Sequence, residues 1–359
     1  MKEILQDFSL PALEALVGEM GEKKFRAGQL YRGLLRGKRI SDITELSKAF
    51  KERLLERFED EPVKVREVLT AEDGTEKYLF ELADGNLIEG VLMRYKYGNT
   101  QCVSTQVGCR MGCTFCASGL NGLLRDLTAG EILCQILVVN ARCGGTPEKR
   151  AVTNVVLMGS GEPLDNYENT VRFLRNVTAQ GGICISPRNI SLSTCGIVPK
   201  MYALAEEGIP VNLTVSLHAS TDEERRRTMP VAKAYSIADI LKACDNYFAK
   251  TGRRYIFEYS LIEGENADLA HAERLAGLLK GRPCHVNLIR LNEVKERSLR
   301  GTSEKEAYRF LGALERAGIS ATLRRRTGAD IGGACGQLRA GYLKALEGQK
   351  EGQGSAPAP

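Results

Sequence analysis

Three cysteines with the spacing Cys-x-x-x-Cys-x-x-Cys give the most direct indication of chemistry in this chain: Cys109, Cys113 and Cys116. Three thiolates can hold three irons of a cubane iron-sulfur cluster and leave the fourth iron open. An open iron can chelate a small molecule instead of only passing electrons. A zinc ion would need a fourth ligand, and neither the spacing nor a nearby histidine supplies one. The spacing therefore predicts a 4Fe-4S cluster with one iron free for a ligand.

Several glycine and polar residues follow predicted strands, where a ligand of such a cluster could be held. The sequence Gly-Ser-Gly-Glu-Pro at 159–163 offers glycines for close backbone approach and a carboxylate for a ligand's ammonium group. Barrel enzymes build their sites at the carboxyl ends of strands. Each position has an ordinary alternative as a tight turn, a helix cap or a buried hydrogen-bonded histidine. The predicted ligand-binding residues are Gly161, Glu162, Ser193, Ser216, Leu217, His218 and Asn292.

The elements that must position these residues follow a simple order. Residues 10–58 have helical apolar spacing, and residues 63–105 have short apolar runs separated by turn signals, which is typical of a β-meander. Strands then alternate with helices, which indicates parallel βα units in an α/β fold. About six units before a last strand favour a partial (βα)6 barrel over eight full repeats. The predicted strands span 154–158, 189–194, 212–217, 254–262, 285–289 and 321–325.

This order divides the chain into four predicted parts. Residues 1–62 form an N-terminal helical accessory domain, in which interleaved basic and aromatic positions favour nucleic-acid binding. Residues 63–101 form the β-meander extension and residues 102–345 form the core barrel. Residues 346–359 are expected to be disordered, because the tail is polar and rich in Gly, Pro and Ser.

The composition excludes several classes of protein. Hydrophobic residues make up 43% of the 359 residues, which is enough for a substantial core, and the apolar stretch around 132–139 is too short to cross a membrane. The cysteines number eleven, and the N-terminus lacks a signal-peptide pattern. Reduced thiols and metal ligation are therefore favoured over disulfides. A cytoplasmic monomer without membrane contact is expected.

The net charge of +5 is modest, but the basic residues are clustered. Clusters of lysine and arginine favour a nucleic-acid partner, although any single run could equally be a solvated helix face. The clusters are the arginines at 225–227 and at 324–326, and an N-terminal set of Lys23, Lys24, Arg26, Arg32, Arg36, Lys38 and Arg39.

With these features assembled, the chain closely resembles the RlmN/Cfr family of radical S-adenosylmethionine RNA methyltransferases, and the RlmN branch most of all. The resemblance covers residues 10 to about 345, and an aromatic residue, here Phe115, generally precedes the third cysteine in radical S-adenosylmethionine enzymes. The blocks that carry it are LIEGVLMRYKYGNTQCVSTQVGCRMGCTFCASGLNGL, GSGEPLDN, SPRNISLSTCGIVP, VNLTVSLHA, HVNLIRLN and GADIGGACGQLR.

The resemblance implies cofactors, substrates and partners. The cluster on Cys109, Cys113 and Cys116 would bind S-adenosylmethionine at the predicted ligand-binding residues, consume two molecules per turnover and yield a 5′-deoxyadenosyl radical. The implied activity is methylation of carbon 2 of an adenosine in 23S rRNA, at the peptidyl-transferase centre, and of the adenosine 3′ of the anticodon in tRNAs. The further partners implied are an electron donor such as flavodoxin or ferredoxin, and a thiol reductant.

Three catalytic roles are also implied by the resemblance. Cys335 would carry a methyl group as a thioether, and the carbon radical made from that methyl would add to the adenine ring. Glu89 would then remove the ring proton as a base. Cys102 would attack the sulfur of Cys335, free the methylated RNA and leave a transient disulfide for the reductant. Without the resemblance, Glu89 would be interpreted as an exposed strand carboxylate and the two cysteines as small core residues.

Three positions depart from the commonest RlmN pattern. Ser160 replaces the usual Met, Gly332 and Gly333 replace an acidic-Ala pair, and Arg290 stands where that branch usually has Pro. The Cfr branch methylates carbon 8 of the same rRNA adenine and carries Arg at that position. Carbon-8 methylation is therefore the alternative specificity, while the surrounding blocks favour carbon 2.

Two alternatives come from other classes of protein. The chain could be a radical activase or cofactor-maturation enzyme that acts on protein or small molecules. It could also be a non-methylating iron-sulfur protein that binds RNA or senses redox state. Both alternatives leave Glu89, Cys102 and Cys335 without a shared purpose.

Overall fold

The computed structural model describes residues 2–146, 149–294, 296–328 and 330–331 of the chain. The predicted methyl carrier Cys335, the pair Gly332 and Gly333, and the predicted tail at 346–359 lie outside the described residues. No helix in the described ranges is long and apolar enough to cross a membrane.

Three helices form the N-terminal region: α1 (Leu10–Glu19), α2 (Phe25–Leu35) and α3 (Lys48–Arg57). Serine caps begin the first and third, because the hydroxyl oxygens of Ser9 and Ser47 accept backbone N–H groups three residues later. The apolar faces of these helices meet in a small core of their own, which includes Leu13, Leu30 and Phe50. The predicted helical N-terminal region is therefore present.

Twelve strands follow within the described residues: β1 (Val63–Thr70), β2 (Glu76–Leu82), β3 (Leu87–Tyr95), β4 (Gly98–Cys102), β5 (Gln106–Gly108), β6 (Leu123–Asp126), β7 (Asn154–Leu157), β8 (Ile190–Thr194), β9 (Asn212–Ser216), β10 (Tyr255–Leu261), β11 (Cys284–Arg290) and β12 (Ala321–Leu323). Ten of them form one sheet in the order β1-β2-β3-β4-β7-β8-β9-β10-β11-β12, and β5 pairs with β6. In the ten-stranded sheet, neighbouring strands from β1 to β4 are antiparallel to each other, and neighbouring strands from β4 through β7 to β12 are parallel.

Each parallel strand before β12 is followed by at least one helix. The helices are α4 (Ala129–Arg142), α5 (Tyr167–Thr178), α6 (Val198–Glu206), α7 (Asp222–Thr228), α8 (Ile237–Thr251), α9 (Leu269–Leu279) and α10 (Glu304–Arg316). The predicted six βα units, partial barrel and last strand are confirmed. Strand β4 is at once the last strand of the meander and the first parallel strand, so the meander continues the barrel sheet as one surface.

The N-terminal helices pack against the barrel helices. The backbone N–H of Gly130 in α4 donates to the Asp7 carboxylate at 2.7 Å, and the side-chain amide of Asn176 in α5 donates to the carbonyl of Gln6 at 3.0 Å. Leu35 of α2 is buried in the main core with α4 and α5 residues. These contacts fix the helical region close to the first βα units.

The two faces of the parallel sheet differ sharply in polarity. Residues directly paired across strands share a face, and alternate residues along a strand point to opposite faces. One face carries apolar residues of the main core, such as Leu192, Leu213 and Phe257. The other, which we call the inner face, includes the paired residues Ser216 and Glu258. A polar inner face is what a barrel needs if it is to hold a ligand.

Candidate active site

The three-cysteine loop follows β5 and is tied to its neighbours by backbone hydrogen bonds. The N–H of Cys109 donates to the carbonyl of Gly122 at 2.9 Å, where the loop returns into β6. Gly108 has a φ of 83°, and a side chain there would collide with the Gly122 carbonyl, so glycine is required. The N–H of Thr114 donates to the carbonyl of Thr228 at 3.0 Å, which joins the loop to the end of α7.

The cysteines of this loop form one electrostatic group. Burial is the main cause that raises the pKa of Cys109 to about 12; the hydrogen bond from the Met111 backbone opposes the increase and the nearby Cys116 adds to it. Burial also raises the pKa of Cys113 to about 12, with added contributions from Cys116 and Cys109. Such thiols lose their protons when a metal centre supplies positive charge. In the described part of the chain, no group of three His, Cys, Asp or Glu side chains has the arrangement needed to hold a single metal ion.

The turn at 159–163 after β7 packs directly on the strand that leads to the cysteine loop. The carbonyl of Ser160 accepts the N–H groups of Thr105 and Gln106, at 2.8 and 3.1 Å. Gly161 has a φ of 107°, and a Cβ there would lie 2.7 Å from the backbone nitrogen of Gln106. Glycine is therefore needed at this position, as the sequence predicts. The departure at Ser160 is compatible with this geometry, because its backbone makes the contacts.

Glu162 braces two neighbouring turns. It is buried, and its carboxylate accepts the backbone N–H groups of Leu164 at 3.0 Å and Cys195 at 2.7 Å. Burial raises its pKa, while the hydrogen bonds to Cys195 and Leu164 act in the opposite direction. The turn after β7 is thereby linked to the turn after β8. The predicted contact of Glu162 with an ammonium group stays a prediction.

His218 follows β9 and meets the cysteine loop. Its ring lies 4.8 Å from the ring of Phe115, edge to face, and its Nδ1 accepts the backbone N–H of Ser260 at 2.9 Å. Burial lowers its pKa to about 3, so the imidazole is neutral at pH 7 and its Nε2 carries the proton. The aromatic residue before the third cysteine thus contacts a predicted ligand-binding residue.

The other predicted ligand-binding residues lie at the same edge of the sheet. Ser193 is the next-to-last residue of β8, and Ser216 ends β9. Leu217 follows Ser216, and its N–H donates to the carbonyl of Glu258 at 3.0 Å. Asn292 is exposed and follows β11. Because carboxyl ends of parallel strands share one edge, these residues and the cysteine loop border the same mouth of the barrel.

Glu89 lies on the inner face of β3 and is 4% exposed, so its interpretation as an exposed strand carboxylate is wrong. Its Oε1 is 3.9 Å from Nζ of Lys77 on β2, and Lys77 is itself 1% exposed. Lysine and glutamate are almost never fully buried unless they are paired. Sequence reasoning missed Lys77. The signal that could have found it is the alternation along β2: Lys77 and Leu79 are two residues apart and share a face, and Leu79 pairs with Glu89.

Cys102 ends β4 beside this charged pair. It pairs with Val91, which in turn pairs with Lys77, so the three residues form one row across adjacent strands. The thiol is 5% exposed and belongs to a small apolar cluster with Val91 and Met93. The structure therefore brings Cys102 and Glu89 to the same face of the sheet. The position of Cys335 relative to them lies outside the described residues.

The arginine runs differ from a uniformly solvated surface. Arg225 is completely buried, whereas Arg226 and Arg227 are exposed. Arg324 is half-buried, and its guanidinium lies 4.0 Å from the sulfur of Met158 on the inner face of the barrel. Burial removes Arg225 from any solvent-facing nucleic-acid surface, whereas RNA contact by the other arginines of these runs stays a prediction. The N-terminal basic set remains at the surface, with Lys23, Lys24, Arg32, Arg36 and Arg39 exposed.

Two sequence families match separate parts of the chain. Residues 103–276 match the Radical SAM superfamily, whose cofactors are a 4Fe-4S cluster and S-adenosylmethionine. Residues 4–59 match the ribosomal RNA large subunit methyltransferase N-terminal domain. The first match contains the cysteine loop and most predicted ligand-binding residues, and the second contains the N-terminal helices.

Similar proteins match over nearly the full length. A Clostridium botulinum protein named probable dual-specificity RNA methyltransferase RlmN is 50% identical over 97% of this chain and 99% of its own length. A Clostridium perfringens protein of the same name is 49% identical over 96% and 98%. The crystal structure of a radical SAM methyltransferase from Sphaerobacter thermophilus superposes with a TM-score of 0.88 at 41% identity, over 93% and 98% of the two chains. The chain belongs to the RlmN family of radical SAM methyltransferases.

Proposed function

We propose that this chain methylates carbon 2 of adenosine in 23S rRNA and in tRNA through a methyl-cysteine intermediate. The observation that carries the proposal is the burial of Glu89 and Cys102 on one inner face of the barrel sheet. Burying a carboxylate costs free energy even when it is paired, so its place near a buried thiol favours a chemical role for the two. Near-full-length relatives named dual-specificity RNA methyltransferase support an RNA substrate.

The residues present fit the cofactors of the superfamily. Three thiols share one loop. The buried Arg225, one nitrogen of which has no hydrogen-bond partner among the described residues, lies close enough to Cys113 to act on its pKa. Cys109, Cys113 and Cys116 would hold the cluster, and Gly161, Glu162, Ser193, Ser216, Leu217, His218 and Asn292 would hold S-adenosylmethionine. When bound and reduced, these cofactors supply a 5′-deoxyadenosyl radical.

The catalytic residues then divide the work. Cys335 carries the methyl group that becomes joined to the adenine ring. Glu89 takes the ring proton as a carboxylate, with its charge balanced by Lys77 at 3.9 Å. Cys102 attacks the sulfur of Cys335, so the carbon-sulfur bond breaks as the disulfide forms and the released carbon takes up a proton to become the product methyl. An electron donor such as flavodoxin or ferredoxin and a thiol reductant in the cytoplasm complete the cycle.

The position of Arg290 supports carbon 2 over carbon 8. Arg290 ends β11 on the face opposite Asn287, away from the inner face. Its Nε donates to the carbonyl of Thr302 at 3.3 Å, and its Nη1 lies 3.3 Å from Glu304. A side chain held toward the outer loops does not reach into the barrel to choose between ring carbons.

The proposal is tested by the product. Reconstituted, reduced protein incubated with a 23S rRNA fragment and, separately, with tRNA is expected to give 5′-deoxyadenosine and 2-methyladenosine in both RNAs, identified by mass spectrometry against synthetic standards. Formation of 8-methyladenosine would replace the carbon-2 proposal with the Cfr-type alternative. Cofactor cleavage without any methylated RNA would favour an activase, and no cleavage at all would favour a redox or RNA-binding protein.

RNA is expected to be held in part by the N-terminal basic surface. Changing Lys23, Arg32 and Arg36 together to Ala should weaken RNA affinity and make it less sensitive to salt, because each phosphate contact contributes about 0.7–0.9 to the salt slope. Binding measured at several salt concentrations checks this, with cluster content unchanged. The matched control is the triple change of Lys305, Arg309 and Arg316 to Ala, which removes the same amount of charge from the exposed side of α10. Equal slopes for wild type and the first variant would remove this surface from the interface.

A further inference from the structure

Arg225 is a buried arginine in a run that otherwise faces solvent. It lies in the seven-residue helix α7 and is 0% exposed. The helix begins after Thr221, whose hydroxyl accepts the N–H of Glu224, and this start turns Arg225 inward while Arg226 and Arg227 stay exposed. Because successive side chains of a helix point about 100° apart, one arginine of the run can face inward while the next two face solvent.

The guanidinium reaches the mouth of the barrel. Its Nε donates to the carbonyl of Leu217 at 3.2 Å, and its Nη2 donates to the carbonyls of Cys195 at 2.5 Å and Ser216 at 3.2 Å. These carbonyls end β8 and β9, at the edge that carries the predicted ligand-binding residues. The third nitrogen, Nη1, is buried and has no hydrogen-bond partner among the described residues.

The charge of this side chain has no close carboxylate to balance it. Within the described ranges, no carboxylate lies in salt-bridge distance of Arg225, and the carboxylate that acts on it at longer range is Asp222. Burial lowers the pKa of Arg225, because a cation removed from water loses its hydration. An uncompensated buried charge is strongly destabilising, and carbonyl oxygens alone do not neutralise it. The site therefore calls for an anion.

The cysteine loop is a place close to Arg225 where negative charge can develop, since the thiols that act on this arginine are those of Cys195 and Cys113. Burial raises the pKa of Cys113, and Arg225 acts in the opposite direction on the same thiol. The hydrogen bond from Thr114 to Thr228 joins the loop to the helix that carries Arg225, so this helix and the residue next to Cys113 are held together. A cubane core of charge 2+ with three thiolates has a net charge of about −1, which one-electron reduction takes to about −2.

We propose that Arg225 supplies the fixed positive charge that balances the cluster on its Cys113 side and thereby raises the cluster's reduction potential. The cation favours the reduced form over the oxidised form, because reduction adds one electron to a site next to it. The electron comes from the external reductant, and no bond to Arg225 is made or broken. The inference rests on the proposed cluster site and is independent of RNA methylation.

Two substitutions separate charge from hydrogen bonding. Arg225→Gln removes the charge but keeps an amide donor, and Arg225→Lys keeps the charge but loses the planar fork that donates to the three carbonyls from two nitrogens. The matched control is Arg226→Gln, the same charge change on the next residue of the same helix, where the side chain is exposed. All four proteins are reconstituted without RNA, and iron and sulfide are counted before a redox titration followed by electron paramagnetic resonance.

The expected result is a more negative midpoint potential in Arg225→Gln alone. At a fixed solution potential the ratio of reduced to oxidised cluster should fall at least tenfold, which is about 59 mV for a one-electron couple. Arg225→Lys and Arg226→Gln should match wild type. If Arg225→Gln holds too little cluster to titrate while Arg225→Lys holds a full one, the iron content itself shows that the cluster requires the positive charge at this position.

Two outcomes would overturn the proposal. Wild-type potentials and iron contents in both Arg225 variants would show that its charge does not reach the cluster. Equal losses in Arg225→Gln and Arg225→Lys would make Arg225 a brace for the carbonyls of β8 and β9 and nothing more. Absence of a cluster from the wild-type protein would instead contradict the proposed cluster site itself, so the two failures are distinguishable.

Discussion

Cys113→Ala is expected to give a colourless protein that binds no 4Fe-4S cluster, whereas anaerobically reconstituted wild type should be brown and bind one. Cys113 is the middle ligand of the three-cysteine loop, and the two remaining thiolates cannot hold a cubane with one open iron. Iron and sulfide content, the visible spectrum and production of 5′-deoxyadenosine should all fall to background. This is the largest effect expected from a single cysteine.

The controls for this prediction use other buried thiols. Cys244→Ala removes a cysteine that lies in α8 and the main core, and should leave cluster content unchanged. Cys195 requires its own test, because its thiol is close enough to Cys113 for their charges to interact. If Cys113→Ala retains iron, the double change with Cys195→Ala shows whether Cys195 has replaced it as a ligand. Full cluster in the double variant, or stoichiometric zinc without iron and sulfide in wild type, would contradict the assignment.

The architecture was accessible from sequence because parallel βα units leave a local signature. Buried parallel strands are short apolar runs, and their spacing counts the units. The predicted strand at 212–217 differs by one residue from Asn212–Ser216, and the predicted strand at 189–194 differs by one from Ile190–Thr194. The placement of Ser193, Ser216 and His218 follows directly from these strands, because a residue at a strand end has only one mouth of the barrel to face.

The burial of the charged residues could not be predicted from the sequence in the same way. Glu89 is paired with Lys77 across two strands, and Arg225 bonds to carbonyls 8, 9 and 30 residues away in sequence. Local periodicity does not specify such partners, so an arginine run resembles a solvated surface and a strand glutamate resembles an exposed one. Burial of these residues depends on the tertiary arrangement, and it is also what links them to chemistry.

Cys102→Ala is expected to trap RNA on the protein. If the bond between the methyl carrier Cys335 and adenine forms before Cys102 acts, the variant can still build the adduct but lacks the thiolate that breaks it. The site around Cys102 is closed to solvent and lined by Val91 and Met93, so small external thiols should not replace it efficiently. The adduct should appear as protein that carries nucleic acid through denaturing purification and loses it on nuclease digestion.

Companion variants test each part of that explanation. Adding Cys335→Ala to Cys102→Ala should abolish the adduct, because no carrier methyl remains. Glu89→Gln should also trap adduct, since the ring proton must leave before the bond to sulfur can break. Cys134→Ala, which removes a buried thiol of α4 in the main core, should turn over without trapped RNA. A Cys102→Ala protein that turns over at the wild-type rate with no RNA attached would show that Cys102 has only a structural role. The position of Cys102 on the same face as Glu89 would then need another explanation.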